Sequence, residues 1–324
     1  MAVSQQPVVI GRIALGIQLD YLVVGHVTRD LVDGAFTIGG TVSYAARTAR
    51  ALGCRVGVIT SASPALDLSQ VLGDVRVARF PAATTTTFKN IYTAEGRRQV
   101  LHSVAETLVP DMVPADWRAA IVHLGPVARE CAPALIDAFG DSFVGVTPQG
   151  WMRRWDEAGH VSCCQWEDAE PVLARADGVV LSEEDVGGDR ALLARYAAQT
   201  RLLVVTDGVK GCTVYEHGQA RHFSAPAVHE VDPTGAGDIF AAAFFVSLQR
   251  MGDPWMAAHF ANCVAARSVT RAGLAGTPTP DEVAHCERAL QMSNVGWTGR
   301  ALASPRPKGS DEPSTACDTG SRGG

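Results

Sequence analysis

Residues 231–251 read VDPTGAGDIFAAAFFVSLQRM, and the fold of the chain turns on this stretch. Asp232-Pro233 marks a turn, and Gly235, Ala236 and Gly237 follow it. Apolar residues then run almost unbroken from Ile239 to Leu248. The spacing predicts a helix that opens at about Gly237, and a helix apolar nearly all round is a buried one. Asp238 is the only charged residue between Pro233 and Arg250, and it falls in the first turn.

That placement suggests a chemistry. Small residues at a helix start let backbone N–H groups approach an anion closely, and the helix dipole adds roughly half a positive charge there. A phosphoryl group in transfer spreads its charge over several oxygens and is stabilised by donors fixed in advance. A neighbouring carboxylate can take the proton of an attacking hydroxyl. Gly235, Ala236 and Gly237 are therefore the candidate anion cradle and Asp238 the candidate base. The plainer reading, a glycine-rich turn with Asp238 stabilising a helix start, stays open on this segment alone. A dinucleotide fingerprint does not fit: Phe240 occupies its third glycine position, and no acid ends a strand at the required distance downstream. The G-x-x-x-x-G-K-[ST] loop does not occur either.

Outward from this stretch, LDYLVVGHV (19–27) reads as a buried strand, TVSYAARTARALG (41–53) as a helix stopped by Gly53, and CRVGVIT (54–60) as a second strand. Strand, helix, strand at this spacing implies a βαβ unit and a parallel sheet. AAIVHLG (119–125), SFVGVT (142–147), GVVLS (178–182) and RLLVVTDG (201–208) are further short apolar strands. Their lack of alternation means cover on both faces. Residues 84–105 differ, with β-branched residues around Glu95-Gly96 that predict a hairpin. The fold class is α/β: a doubly wound, mostly parallel sheet flanked by helices, with a small β lid. The expected organisation is an N-terminal extension over 1–18, one domain over 19–291, and a disordered tail over 292–324. That tail is rich in Ser, Pro and Gly and carries little apolar surface to offset chain entropy.

Composition narrows the functional classes. With 47% hydrophobic residues, 19% charged residues and a formal net charge of −6, the chain can fill a large core but lacks the basic footprint of a nucleic-acid binder. No run reaches the ~18 apolar residues of a membrane span, so no membrane partner and a cytoplasmic location are expected. The eight cysteines form no metal-binding spacing, which predicts reduced thiols.

DPTGAGD and the helix behind it resemble the C-terminal motif of the ribokinase-like (PfkB) carbohydrate kinases, and the resemblance runs from about Leu19 to about Gln291. It implies ATP and Mg2+ as cofactors and a sugar or polyol as substrate. Gly39-Gly40 resembles the paired glycines that lie against substrate, and Asp30 the acid that binds its hydroxyls. Thr206, Gly208 and Gly211 in VVTDGVKGC resemble the T-x-G-x-x-G segment facing the nucleotide. Asp185, with Ser182, stands where the family places the N-x-x-E that organises the metal's waters. Asn262 lies on the helix beside the base, where it either reaches the base edge or is a satisfied helix amide. The 84–105 hairpin resembles the lid, and Lys89 on it could face the substrate. Gln149, in a segment similar to inositol kinases, follows a central strand. Tyr44 replaces the Asn that many sugar kinases carry after the glycine pair. The expected assembly is a monomer or a homodimer. A nucleoside kinase using Tyr44 and Phe88 for stacking, and a catalytically silent relative, are the alternatives.

Overall fold

A computed structural model describes residues 16–32, 34–93 and 96–293. Strand β1 (Ile17–Val24) starts the main sheet, and the chain then leaves it for a hairpin, β2 (Thr28–Val32) and β3 (Ala35–Gly39). Helix α1 (Thr41–Ala51), β4 (Val56–Ala62), the short α2 (Leu68–Leu72) and β5 (Arg76–Pro81) return to the sheet. A second hairpin follows, β6 (Thr87–Thr93) and β7 (Gly96–Ser103), and then the central strands β8 (Trp117–Leu124) and β9 (Phe143–Val146). A small ribbon, β10 (Arg153–Trp155) and β11 (Val161–Cys163), precedes α3 (Ala169–Arg175), β12 (Gly178–Ser182) and α4 (Arg190–Gln199). Strands β13 (Leu202–Thr206), β14 (Cys212–Glu216) and β15 (Gln219–Phe223) complete the sheet. Helices α5 (Ala236–Met251), α6 (Pro254–Ser268) and α7 (Pro280–Ser293) end the described chain.

The main sheet has nine strands in the order β15-β14-β13-β12-β9-β8-β1-β4-β5. It is parallel from β5 to β13, and β14 and β15 are antiparallel at one edge. Both faces are covered. In β1 the pleat sends Tyr21 and Val23 into a core shared with α1, α5, α6 and α7, and Leu22 and Val24 into a second core on the α3 and α4 side. This is why the central strands read as apolar runs rather than alternating ones. Helix α5 is buried from Ile239 to Ser247. It lies tight on the sheet at Gly145, where a Cβ would sit 2.6 Å from the Phe245 ring.

The lid is a separate sheet of four strands in the order β3-β2-β6-β7. The sequence reading assigned only residues 84–105 to it. The structure corrects this: the 28–39 hairpin supplies the other half, pairing with β6 in parallel. The apolar run 19–27 hid the boundary, because β1 passes into β2 with no punctuation beyond Gly25. Strand β1 also begins at Ile17, inside the expected 1–18 extension. Most of that extension and the tail beyond Ser293 lie outside the described residues. The expectation of reduced thiols is corrected for one pair: Cys263 on α6 and Cys286 on α7 form a disulfide, with Cα atoms 5.8 Å apart across packed helices. Among the described residues no helix is long and apolar enough to cross a membrane.

Candidate active site

The start of α5 is shaped by backbone geometry before any charge is considered. Gly235 adopts the left-handed conformation, φ 80° and ψ −1°, as the residue preceding the helix. A Cβ there would also run into the ring of Tyr44 on α1. Only glycine meets both conditions. Asp232 fixes the turn from both sides: its Oδ1 accepts from Thr234 N at 2.9 Å and its Oδ2 from Gly273 N at 2.8 Å. At Gly237 a Cβ would meet nothing within 4 Å, so the first turn opens outward. First-turn N–H groups have no acceptor within their own helix. Those of Gly237 and Asp238 therefore point out of the helix at an open surface of small residues.

The Asp238 carboxyl is desolvated, and this raises its pKa to about 6. Two groups oppose the rise, the hydroxyl of Thr41 by hydrogen bonding and the nearby positive charge of Arg153; the charge of Asp185 adds to it. Four separate segments thus converge on one carboxyl: α5, the first residue of α1, β10, and the turn after β12. Beneath them runs a buried polar chain. Tyr21 Oη and His123 Nδ1 share a hydrogen bond of 2.6 Å, and His123 Nε2 and Thr147 Oγ1 one of 2.9 Å. Burial depresses His123 to about 3, and burial first, then Cys54 and Asp238, lifts Tyr21 well above the usual phenol range. Both rings are neutral at physiological pH, so Asp238 has a neutral floor.

Asp30 lies on β2 of the lid. Thr28 Oγ1 donates to its Oδ1 at 3.3 Å, and a Cβ on Gly39 would run into its carboxylate. At Gly40, φ is 85° and a Cβ would run into the His26 carbonyl. The glycine pair therefore brings the lid strand, the Asp30 carboxylate and the N-terminus of α1 together. The lid register pairs Asp30 with Phe88 and Asn90 with Gln99, which puts Asp30, Phe88 and Asn90 on one face. The Arg153 guanidinium sits 5.8 Å from the Phe88 ring centroid and donates to Val127 O at 3.1 Å, linking that lid face to the surroundings of Asp238.

The family model described as pfkB family carbohydrate kinase matches residues 104–282. The chain belongs to that family. A fructokinase from Klebsiella pneumoniae is 29% identical over 210 residues, covering 58% of this chain and 66% of the fructokinase. A cytidine kinase from Thermococcus kodakarensis is 28% identical over 254 residues, covering 72% of this chain and 89% of the cytidine kinase. The matches to the fructokinases of Arabidopsis thaliana, K. pneumoniae and Escherichia coli span between 38% and 66% of their lengths. Among solved structures, a pyrophosphate-dependent kinase in the ribokinase family, complexed with a pyrophosphate analog and myo-inositol, superposes with a TM-score of 0.68 at 25% identity. That superposition covers 80% of this chain and 96% of the other.

The structure gathers some of the residues named from the PfkB resemblance and leaves others out. Gly235, Ala236, Gly237 and Asp238 form the helix start, with Asp30, Gly39 and Gly40 on the lid side. Gln149 is half-buried in the turn of residues 148–150 that directly follows β9. Asp185 closes a local ring, its Oδ2 accepting from Ser182 N at 2.8 Å while Asp185 N donates to Ser182 Oγ at 3.1 Å. Thr206 ends β13, and the turn to β14 carries Gly208 with φ 50° and Gly211 with φ 99°. Two placements are corrected. Lys89 pairs with Leu31 and is exposed on the lid face opposite Asp30 and Phe88, because one residue along a strand reverses the side. Asn262 is 4% exposed and donates to Phe223 O at 3.0 Å, so its amide joins α6 to β15 instead of facing a ligand. Sequence reasoning missed Thr41 and Arg153. Thr41 directly follows the glycine pair, which is the signal that could have found it; nothing local marks Arg153 off from Arg154.

Proposed function

We propose that the protein transfers the γ-phosphoryl group of ATP to a hydroxyl of a sugar or cyclic polyol, with Asp238 as the base. The observation that carries this reading is the desolvated Asp238 carboxyl, raised to about 6, in the first turn of a helix whose start is open at Gly237. A carboxylate with that pKa is ionised at neutral pH yet basic enough to accept a hydroxyl proton in the transition state. Asp30, the glycine pair and Gln149 orient the acceptor through its hydroxyls. Asp238 takes the proton as the acceptor oxygen bonds to the γ-phosphorus. The amides at the end of the Gly235–Gly237 turn, those of Gly237 and Asp238, hold the charge that spreads over the transferring group, and the bond to the bridging oxygen breaks to release ADP. The lid face, with Phe88 and Arg153, keeps water from competing.

Among the described residues no group of three His, Cys, Asp or Glu could cage a metal. Magnesium would come with the nucleotide's phosphates and neutralise their charge, and Asp185, whose charge reaches Asp238, is the carboxylate that would hold its water shell. The likeness to a pyrophosphate-dependent, myo-inositol-bound kinase supports a cyclic polyol as acceptor and makes pyrophosphate the donor to compare with ATP. The nucleoside reading needs exposed aromatic faces, but Tyr44 is 2% exposed beneath Gly235 and Phe88 is 3% exposed. The test is product formation across fructose, ribose, myo-inositol, cytidine and inosine with ATP or pyrophosphate. Turnover with a sugar or polyol and ATP supports the proposal; phosphorylation of nucleosides alone overturns the acceptor class, and activity confined to pyrophosphate overturns the donor.

A further inference from the structure

The small ribbon of β10 and β11 grips the lid at one place. Leu101 N on β7 donates to the carbonyl of Gly159, in the ribbon's turn, at 2.8 Å, and Val100 forms an antiparallel bridge with His160. Gly159 has φ 84°, and a Cβ there would run into the Leu101 carbonyl, so only glycine allows this approach. Asp156 builds the turn, its Oδ1 accepting from Ala158 N at 3.0 Å and from His160 N at 2.8 Å. The gripped residue ends a row that crosses the lid. Leu101 pairs with Phe88, and Phe88 pairs with Asp30, so the three share one face. Phe88 and Leu101 form a small apolar cluster with Val127 and Ala128 of the body, separate from the two large cores, and Val161 of the ribbon packs against it. Lid, body and ribbon therefore meet in one cluster. The ribbon is itself tied to the body: Arg129 Nε donates to Arg153 O at 2.7 Å, and Arg153 Nη1 donates to Val127 O at 3.1 Å.

We propose that Gly159 and Val161 are positioning residues for the acceptor: by holding Leu101 they fix the cross-strand row that ends at Asp30. This rests on the reading of Asp30 as the carboxylate that takes the acceptor's hydroxyls. Strand β7 is an edge of the four-stranded lid. An edge strand presents unpaired backbone groups and is free to fray on that side. The Gly159 carbonyl occupies the Leu101 amide, and Val161 covers the cluster that Leu101 and Phe88 enter. A hydroxyl ligand carried on β2 is only as well placed as the sheet that carries it. Loosening the ribbon therefore weakens the hold on the acceptor and leaves the transfer step and the donor as they were. That combination is the signature of binding lost equally from the ground state and the transition state.

The experiment pairs hydrogen exchange at the Leu101 amide with steady-state kinetics, on the acceptor that the panel identifies, for the wild type, Val161→Ala, Val161→Ile and Gly159→Ala. In Val161→Ala the Leu101 amide should exchange about tenfold faster or more, and the acceptor KM should rise about five- to tenfold, with kcat and the donor KM within about twofold. Val161→Ile keeps the apolar contact and should stay within about twofold of wild type in both readings. Gly159→Ala drives a side chain into the Leu101 carbonyl and should act as Val161→Ala does, so it carries the test if Val161→Ala does not fold. Faster exchange with the acceptor KM unmoved makes the ribbon a brace with no part in binding and overturns the proposal. Unchanged exchange overturns it too, as does a kcat that falls while KM stays. A wild type that turns over no acceptor overturns the reading of Asp30 and the proposal with it, whereas normal wild-type turnover with KM unmoved in the variants removes the proposal alone.

Discussion

At the residue scale, Gly235 and Asp238 both carry a cost in stability, one in backbone geometry and the other in desolvation. Gly235→Ala would force an L side chain into left-handed backbone and into the Tyr44 ring. The expected destabilisation is about 2–4 kcal/mol, read from chemical denaturation, with turnover lost even where the variant folds. Asp238 binds protons more readily folded than unfolded, because burial raises it from 3.8 to about 6. A raised folded pKa contributes stability below the unfolded value that is lost as pH rises through the folded one. Asp238→Asn should therefore stabilise the protein by on the order of 2 kcal/mol at pH 8 and by little at pH 3.5. Equal effects at both pH values would remove the desolvation argument. For the active enzyme, kcat/KM should fall about tenfold per unit below a limb near pH 6.

At the element scale, the lid is held by its roots. His26 is fully buried between β1 and β2, and its ring meets Thr86 Oγ1 at 2.7 Å and Glu106 O at 2.9 Å, at the two ends of the β6–β7 hairpin. Glu130, 1% exposed, accepts from His26 N at 3.0 Å and from Ala128 N at 2.7 Å, tying the same root to the body. His26→Ala should cost about 2–4 kcal/mol by leaving buried partners unmet, and raise the KM for the acceptor by loosening the face that carries Asp30. Lys89→Ala should leave that KM within about twofold, as its strand turns it outward. How far these elements could be read from sequence follows from their physics. The α5 start was legible because a lone acid, small residues and a buried helix share one short segment. The doubly wound sheet was legible from uninterrupted apolar strands. The 28–39 half of the lid was not, since a strand continuing from a buried strand leaves no break in the pattern. Asn262 was misplaced because residue type says nothing of which way a buried amide points, and Lys89 because period-two alternation decides its side only once register is known.

At the scale of the whole molecule, the candidate site draws on segments far apart in the chain: Thr41, Arg153, Asp185 and Asp238. Helix α5 lies in one core with α1, β1 and β4, and its Phe245 reaches across to Gly145 on β9. The disulfide between Cys263 and Cys286, 23 residues apart in sequence, ties α6 to α7. Reduction should lower stability by about 3 kcal/mol without moving the acid limb of the pH profile. A shifted limb would mean that the packing of α6 and α7 couples to Asp238. If Asp238 removes the proton from the attacking hydroxyl, Asp238→Asn at pH 8 should lose about a thousandfold or more in kcat while the donor Kd, measured in parallel, stays within about threefold of wild type. Turnover within about tenfold of wild type would mean that another group takes the proton.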